Sequence, residues 1–279
     1  MVLWRNGYAK VCKTFYPGSI PGNTSINSNV KGSHVKTLLN TQPISKPLRG
    51  NGLDLKVHSI FWTLQGEGPF TGQAAVFLRL AGCNLQCPGC DTEYTAGAGG
   101  ASIHNILRRV EDERPVDTTG QKLLVITGGE PFRQNIAPFA ALAVQHGWHV
   151  QVETNGVLPP QEYQTLERLA LYRKALTIVV SPKTAKVNDD LTHLAHCFKY
   201  VLAADSIREE DGLPLQALGN KCSPYVARPP LYFRGPVYVN PMDAKDPEVN
   251  AANLRATAAS AMKHGFIMGV QLHKAVGLA

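Results

Sequence analysis

Aspartate and glutamate are absent from the first 53 residues of this 279-residue chain, a stretch that carries Arg5, Lys10, Lys13, Lys31, Lys36, Lys46 and Arg49. Those seven account for the whole formal charge of +7, because the other 21 Lys and Arg are matched by 21 Asp and Glu between residues 54 and 279. A body without net charge does not read as a phosphate-neutralising surface. The chain also lacks the run of roughly 18 consecutive apolar residues that a membrane-spanning helix needs. It opens without the compact apolar stretch of a secretory signal, so a cytoplasmic setting is expected. Cysteine is scarce at six residues, and a chain this long buries enough core to need no disulfide framework. In a reducing compartment, clustered cysteines read as ligands or reactive thiols.

Residues 1–53 are rich in Asn, Ser, Gly and Thr, show little apolar periodicity and end in "SKPLRGNG". Such a composition predicts a flexible N-terminal extension, followed by a catalytic body over 54–279. A solvated tail, or a start read too far upstream, is the plain account. A basic arm contacting tRNA or another polyanion is the alternative. An organelle transit peptide is poorly served by only two arginines.

In the body, short apolar runs alternate with helical patterns. "AAVFLRL" (74–80), "KLLVIT" (122–127), "WHVQVE" (148–153), "ALTIVV" (175–180), "CFKYVLA" (197–203) and "PVYVN" (236–240) read as strands. Helices are expected near 102–112, 134–146, 160–171 and 247–264. Six strands of this kind predict an α/β fold, a partial (β/α)6-type barrel whose parallel sheet is covered by helices. Ligands in such folds gather at the C-terminal strand ends. Five of those ends carry "CNLQCPGC", "GGEP", "TNG", "SPK" and "PMD", which implies one site built across a sheet edge. Residues 206–236 hold Pro214, Pro224, Pro229, Pro230 and Pro236 without a clear period and predict a long irregular insertion.

The stretch "AGCNLQCPGCDTEYT" concentrates Cys83, Cys87 and Cys90. A structural zinc site is normally closed by four ligands, and neither Cys12, Cys197 nor Cys222 belongs to a second paired motif. A [4Fe–4S] cluster held by three thiolates keeps one iron open to a substrate or cofactor. The spacing C-x3-C-x2-C, in a Gly- and Pro-containing loop after a strand, resembles the signature of radical S-adenosylmethionine enzymes. That resemblance implies that the open iron chelates the amino and carboxylate groups of S-adenosylmethionine. Cleavage of the sulfonium then gives a 5′-deoxyadenosyl radical that abstracts a substrate hydrogen. "GGEP" after the next strand strengthens the likeness. Gly128 and Gly129 allow close backbone approach to a ligand, and Glu130 would offer a carboxylate to the ammonium of a bound amino acid.

Further residues point to one family. "IFWTLQGEGPFTGQAAVFLRLAGCNLQCPGCDTEYT", "VITGGEP", "VETNG", "SPK", "VNPMD" and "QLHKAVGLA" are similar to the 7-carboxy-7-deazaguanine synthase family over residues 55–279. The resemblance implies ring contraction of 6-carboxy-5,6,7,8-tetrahydropterin to 7-carboxy-7-deazaguanine with loss of ammonia, on the route to queuosine and other 7-deazapurines. S-adenosylmethionine would be used catalytically and Mg2+ would assist. The same resemblance assigns Cys83, Cys87 and Cys90 to the cluster. Gly89, Asp91, Gly129, Ser181, Pro182, Lys183, Asn240, Pro241, Met242 and Asp243 would hold S-adenosylmethionine. Leu64, Gln65, Gly66, Glu67, Arg79 and Thr127 would face the pterin, Thr92 would meet Mg2+, and the carboxylate of Ala279 would reach the substrate. A homodimer and a flavodoxin- or ferredoxin-type reductant are implied as well.

On their own chemistry some of these residues stay open. Arg79 has apolar neighbours on both sides and needs an anion, either a protein carboxylate or that of the substrate. Glu67 stands between glycines and would accept from the pterin's guanidine-like edge, or be a solvated turn residue. Thr92 is a cap or a ligand. Glu153 and Asn155 line the cofactor pocket or make a turn, and His273 reaches substrate or packs in the core. Two rivals remain. A glycyl-radical-enzyme activase shares the cysteine spacing, and a non-catalytic zinc or iron–sulfur module would not need five ligand-like strand ends.

Overall fold

The computed structural model describes residues 40–219 and 225–278. Its core is one nine-stranded sheet. The strands are β1 (Asp54–Leu64), β2 (Ala74–Leu80), β3 (Gly99–Ser102), β4 (Lys122–Gly128), β5 (Trp148–Thr154), β6 (Leu176–Val180), β7 (Ala195–Leu202), β8 (Val237–Pro241) and β9 (Ile267–Met268). They lie in the order β3-β1-β2-β4-β5-β6-β7-β8-β9. From β2 to β9 every pairing is parallel, whereas β1 runs antiparallel to both β2 and β3. All six strands expected from the sequence are present. The sequence reading missed β1, β3 and β9.

Burial explains the strand patterns. Every residue of β6 is buried, as are Leu123–Ile126 of β4, so the central strands are covered on both faces and read as continuous apolar runs. β1 instead alternates at its start, with Leu55 and Val57 inside and Asp54 and Lys56 exposed. Its polar residues hid it in a scan for apolar runs.

The covering helices are α1 (Ile103–Glu113), α2 (Ala137–Gln145), α3 (Tyr163–Glu167, continued by a π-turn over Arg168–Tyr172), α4 (Asp189–Leu194), α5 (Pro247–His264) and α6 (Leu272–Ala275). α5 matches its expected span because its ends are written locally. Asp246 caps the N–H groups of Glu248 and Val249, Pro247 opens the first turn, and Gly265 closes the helix with φ 73°. α4 and α6 were not foreseen, being too short to show a period. Residues 206–236 contain no helix or strand among those described, as expected. They are nonetheless packed, with Leu213, Ala217 and Val226 buried and Arg228 paired to Asp211 at 2.8 Å.

The N-terminal boundary needs correction. Residues 1–39 of the expected extension lie outside the described residues. From Asn40 on, the chain is docked rather than flexible. The Ser45 N–H donates to the Cys83 carbonyl at 2.7 Å and the Leu48 N–H to the Arg133 carbonyl at 2.7 Å. Backbone groups bond here despite the polar composition, and a scan for apolar periodicity cannot see such pairing.

At the other end, the Leu272 N–H reaches the Gly66 carbonyl at 3.3 Å, so α6 sits beside the end of β1. The sheet is therefore curled but open, with β3 and β9 at its two edges among the described residues, which is a partial barrel.

Candidate active site

The ends of β1, β2, β4, β5, β6, β7 and β8 surround a cavity of about 450 Å³, within the usual size of small-molecule sites. A more open groove of about 970 Å³, between the β6–α4 connection and the insertion, holds none of the cysteines. The smaller cavity carries the chemistry.

Cys83, Cys87 and Cys90 all border it as free thiols, the first two buried. Burial pushes all three thiols up, Cys83 to about 12. Thiols this desolvated are poor free nucleophiles and are suited to ionise against iron. Among the described residues, no three His, Cys, Asp or Glu side chains converge as ligands of a single ion. Three thiols around one cavity suit a [4Fe–4S] cluster, which takes each thiolate at a different iron, whereas a structural zinc site is normally closed by four ligands.

The cysteine loop is locked against the end of β4. Glu130 N–H donates to the Gly82 carbonyl at 3.0 Å, and a Cβ on Gly129 would lie 2.2 Å from that oxygen. Gly128, at φ 140°, adopts backbone closed to other residues. The glycine pair thus serves the contact between two strand ends, and both glycines also line the cavity, where the sequence reading put them. Glu130 is a second correction. Its side chain is fully buried and accepts from Phe132 N–H (3.0 Å), Thr154 Oγ1 (2.7 Å) and Asn155 N–H (2.8 Å). Its carboxylate joins the β4 and β5 ends instead of facing the cavity, because a buried carboxylate must fill its acceptor sites.

Of the residues expected around S-adenosylmethionine, Gly89, Asp91, Gly129, Asn155, Ser181, Lys183, Pro241, Met242 and Asp243 line the cavity. Lys183 Nζ donates to the Ser181 carbonyl (2.9 Å) and Oγ (2.6 Å), and burial lowers its pKa. Pro182 and Asn240 do not line it. Asn240 is 1% exposed and its side-chain amide has no partner among the described residues.

Of those expected around the pterin, Leu64, Gln65, Glu67, Arg79, Thr127 and His273 line the same cavity, together with Glu153. Gly66 stands just behind, its missing Cβ leaving room for the His273 ring. His273 is thereby a cavity residue, not a core one. Ala279 lies outside the described residues. Thr92 lines the cavity with its hydroxyl 3.4 Å from Asp91 Oδ1.

Arg79 lies over the Phe61 ring at 5.6 Å and forms no salt bridge among the described residues, and burial lowers its pKa. A desolvated guanidinium without an ion partner is poised for an incoming anion. Across the cavity, Lys199 Nζ meets Glu67 at 2.5 Å and Glu153 at 3.6 Å. Gln65 Nε2 and Gln151 Nε2 donate to Glu153 at 3.1 and 3.0 Å.

The sequence reading overlooked Lys199, although a lone charge in an apolar strand is the signal it used for Arg79. Lys274 was also passed over as a site residue. It bridges Asp91 (3.1 Å) and Asp243 (3.2 Å), tying α6 to the cysteine loop and to the end of β8. Leu218, whose carbonyl accepts from Gly89 N–H at 2.8 Å, brings the insertion to the cavity wall. No sequence pattern announced it.

This cysteine loop at the head of a parallel, curled sheet defines a radical S-adenosylmethionine enzyme, and residues 78–204 match the model of the Radical SAM superfamily. Such an enzyme holds a [4Fe–4S] cluster and S-adenosylmethionine. The chain is 38% identical over 246 residues to the 7-carboxy-7-deazaguanine synthase of Rhodospirillum rubrum, covering 85% of this chain and 98% of that one. It is 33% identical over 239 residues to the enzyme of the same name from Rickettsia prowazekii, covering 83% and 92%. The crystal structure of QueE from Escherichia coli matches its fold with a TM-score of 0.57 at 22% identity, over 78% of this chain and 93% of that one. The chain belongs to the 7-carboxy-7-deazaguanine synthase family.

Proposed function

We propose that this protein is a carbon–nitrogen lyase that converts 6-carboxy-5,6,7,8-tetrahydropterin to 7-carboxy-7-deazaguanine with loss of ammonia, in 7-deazapurine biosynthesis. One observation carries the substrate side of this reading: the Arg79 guanidinium, which forms no salt bridge among the described residues, opens on the cavity that the three thiols border. When bound, the cluster, held by Cys83, Cys87 and Cys90, and S-adenosylmethionine would supply the radical chemistry. The chain's own residues hold the substrate against it. Arg79 takes the 6-carboxylate in a bidentate pair. Glu67 and Glu153 accept from the N–H groups of the pyrimidine edge, with Gln65, Thr127 and His273 completing the walls. Ser181, Lys183, Met242 and Asp243 meet the polar groups of S-adenosylmethionine. Closing the site from water keeps the radical from being quenched.

Mg2+ is assigned to the Thr92 hydroxyl together with substrate oxygens, in keeping with a hard ion that takes few protein ligands. The reading also includes a flavodoxin- or ferredoxin-type electron donor, a homodimer and a cytoplasmic setting. No described helix is long and apolar enough to cross a membrane.

The test is an anaerobic assay of reconstituted protein with dithionite, S-adenosylmethionine, Mg2+ and the pterin, read by mass spectrometry. Product of the expected mass, absent in Cys87→Ala, supports the reaction. Cleavage of S-adenosylmethionine with the pterin intact would overturn the substrate and favour an activase that acts on a protein backbone.

A further inference from the structure

The segment just before β1 is built onto the cysteine loop. Asn40 N–H donates to the Pro88 carbonyl (3.1 Å) and Ser45 N–H to the Cys83 carbonyl (2.7 Å), while Ile44 and Cys83 form a parallel bridge. Gln42 makes the densest set. Its Nε2 donates to the Thr92 carbonyl (2.8 Å), its Oε1 accepts from Tyr94 N–H (2.8 Å), and its own carbonyl accepts from Gln86 Nε2 (2.7 Å). The Thr92 carbonyl lies 3.7 Å from Cys90 Sγ, so the atom that Gln42 pins is one contact from a ligand thiol. The far end of the segment is held elsewhere: Arg133 donates to the Lys46 carbonyl (3.0 Å) and Gln161 to the Leu48 carbonyl (3.0 Å).

We infer that residues 40–46 are a strap that fixes the cysteine loop in its ligand geometry, with Gln42 as the positioning residue that keeps the cluster in place. A three-cysteine loop is closed by only three bonds to iron, and ligand geometry depends on the hydrogen bonds behind the ligands. The Gln42 side chain satisfies both neighbours of Glu93 at once, so its removal frees the C-terminal arm of the loop. The inference rests on the cluster assignment above.

The experiment compares unaltered protein with Gln42→Ala, Gln42→Glu and the control Gln161→Ala, which loosens only the anchor at Leu48, just beyond the strap. Iron and sulfide content after anaerobic reconstitution is measured first, then the rate of iron release to a ferrous chelator, then the thermal midpoint of the metal-free protein. The expected result is iron release five- to twenty-fold faster in Gln42→Ala and Gln42→Glu. Glutamate cannot donate to Thr92, so it fails despite its matching shape. Gln161→Ala should release iron at the unaltered rate, and all four metal-free midpoints should agree within a few degrees. Equal release rates would overturn the strap's role, as would release that merely follows a fallen midpoint. Failure of the unaltered protein to take up about four irons per chain would instead overturn the cluster assignment on which the inference stands.

Discussion

Lys199 on β7 and Glu67 beyond β1 meet at 2.5 Å although β2, β4, β5 and β6 lie between their strands in the sheet. Only a curled sheet brings them together, so this ion pair spans the cavity from wall to wall. Burial alone would raise the Glu67 carboxyl, but Lys199 outweighs it and holds the group below its usual range. Burial would likewise lower Lys199, and Glu153 and Glu67 together raise it. The cluster of two carboxylates and one ammonium keeps a net negative charge facing the cavity, which suits a donor-rich ligand edge.

Lys199→Met leaves two carboxylates without their cation. Breaking a buried pair from one side costs about 3–5 kcal/mol, and urea unfolding of the metal-free variant should show a loss of that order. Lys199→Arg should retain most of the stability. In that variant the KM for the pterin should rise about tenfold, one misplaced hydrogen bond being worth about 1.4 kcal/mol, while the KM for S-adenosylmethionine stays put. A rise in both constants would mean that Lys199 shapes the whole cavity rather than the pterin side.

Arg79 gives a prediction of opposite sign for stability and activity. Its guanidinium is desolvated and forms no salt bridge among the described residues. Arg79→Met should therefore unfold no more easily than the unaltered protein, and kcat/KM for the pterin should fall by about 10²–10³, the worth of a bidentate charge-assisted pair. A stability loss of several kcal/mol would show that the guanidinium already has a partner in the ligand-free protein.

Gly129 tests the lock between β4 and the cysteine loop. A Cβ there would stand 2.2 Å from the Gly82 carbonyl oxygen and 2.8 Å from the Cys83 amide nitrogen, and backbone cannot give way cheaply. Gly129→Ala should cost about 1–3 kcal/mol and reduce iron uptake on reconstitution. Full iron content with normal visible absorption would refute the idea that this contact sets the loop.

Much of this was legible in the sequence because it is encoded locally. The central strands are apolar throughout since both faces are covered, and α5 carries its caps within a few residues of its ends. The cysteine triplet, Arg79 and Glu67 stood out as charge or sulfur in settings that need a reason. What escaped depended on distant pairing. The start of β1 alternates, and the docking of residues 40–50 is made by backbone groups and the Gln42 side chain with partners 38 to 113 positions away. Glu130 was misassigned because the sequence shows a carboxylate after two glycines, not the Thr154 and Asn155 donors waiting on the next strand.

Asp243 supplies a pH dependence. The Lys245 N–H, then the Asn250 side chain and Lys274, hold its carboxyl down at about 2, against 3.8 for a free aspartate. With the folded value depressed, the unfolded chain binds the proton more readily, so the contribution is present above about pH 4 and is lost as pH falls towards 2. The shift corresponds to about 2.4 kcal/mol at most, and solvent reaching the side chain trims this to about 1 kcal/mol. Asp243→Asn in the metal-free protein should therefore be about 1 kcal/mol less stable at pH 7, and the gap should shrink to about a third of that by about pH 2.5 and close only below about pH 2, once the unaltered carboxyl is itself protonated. Urea titrations at four or five pH values would trace this convergence. A gap that stays constant across the range would mean that Asp243 acts through the shape of its turn, with Lys274 left to Asp91 alone.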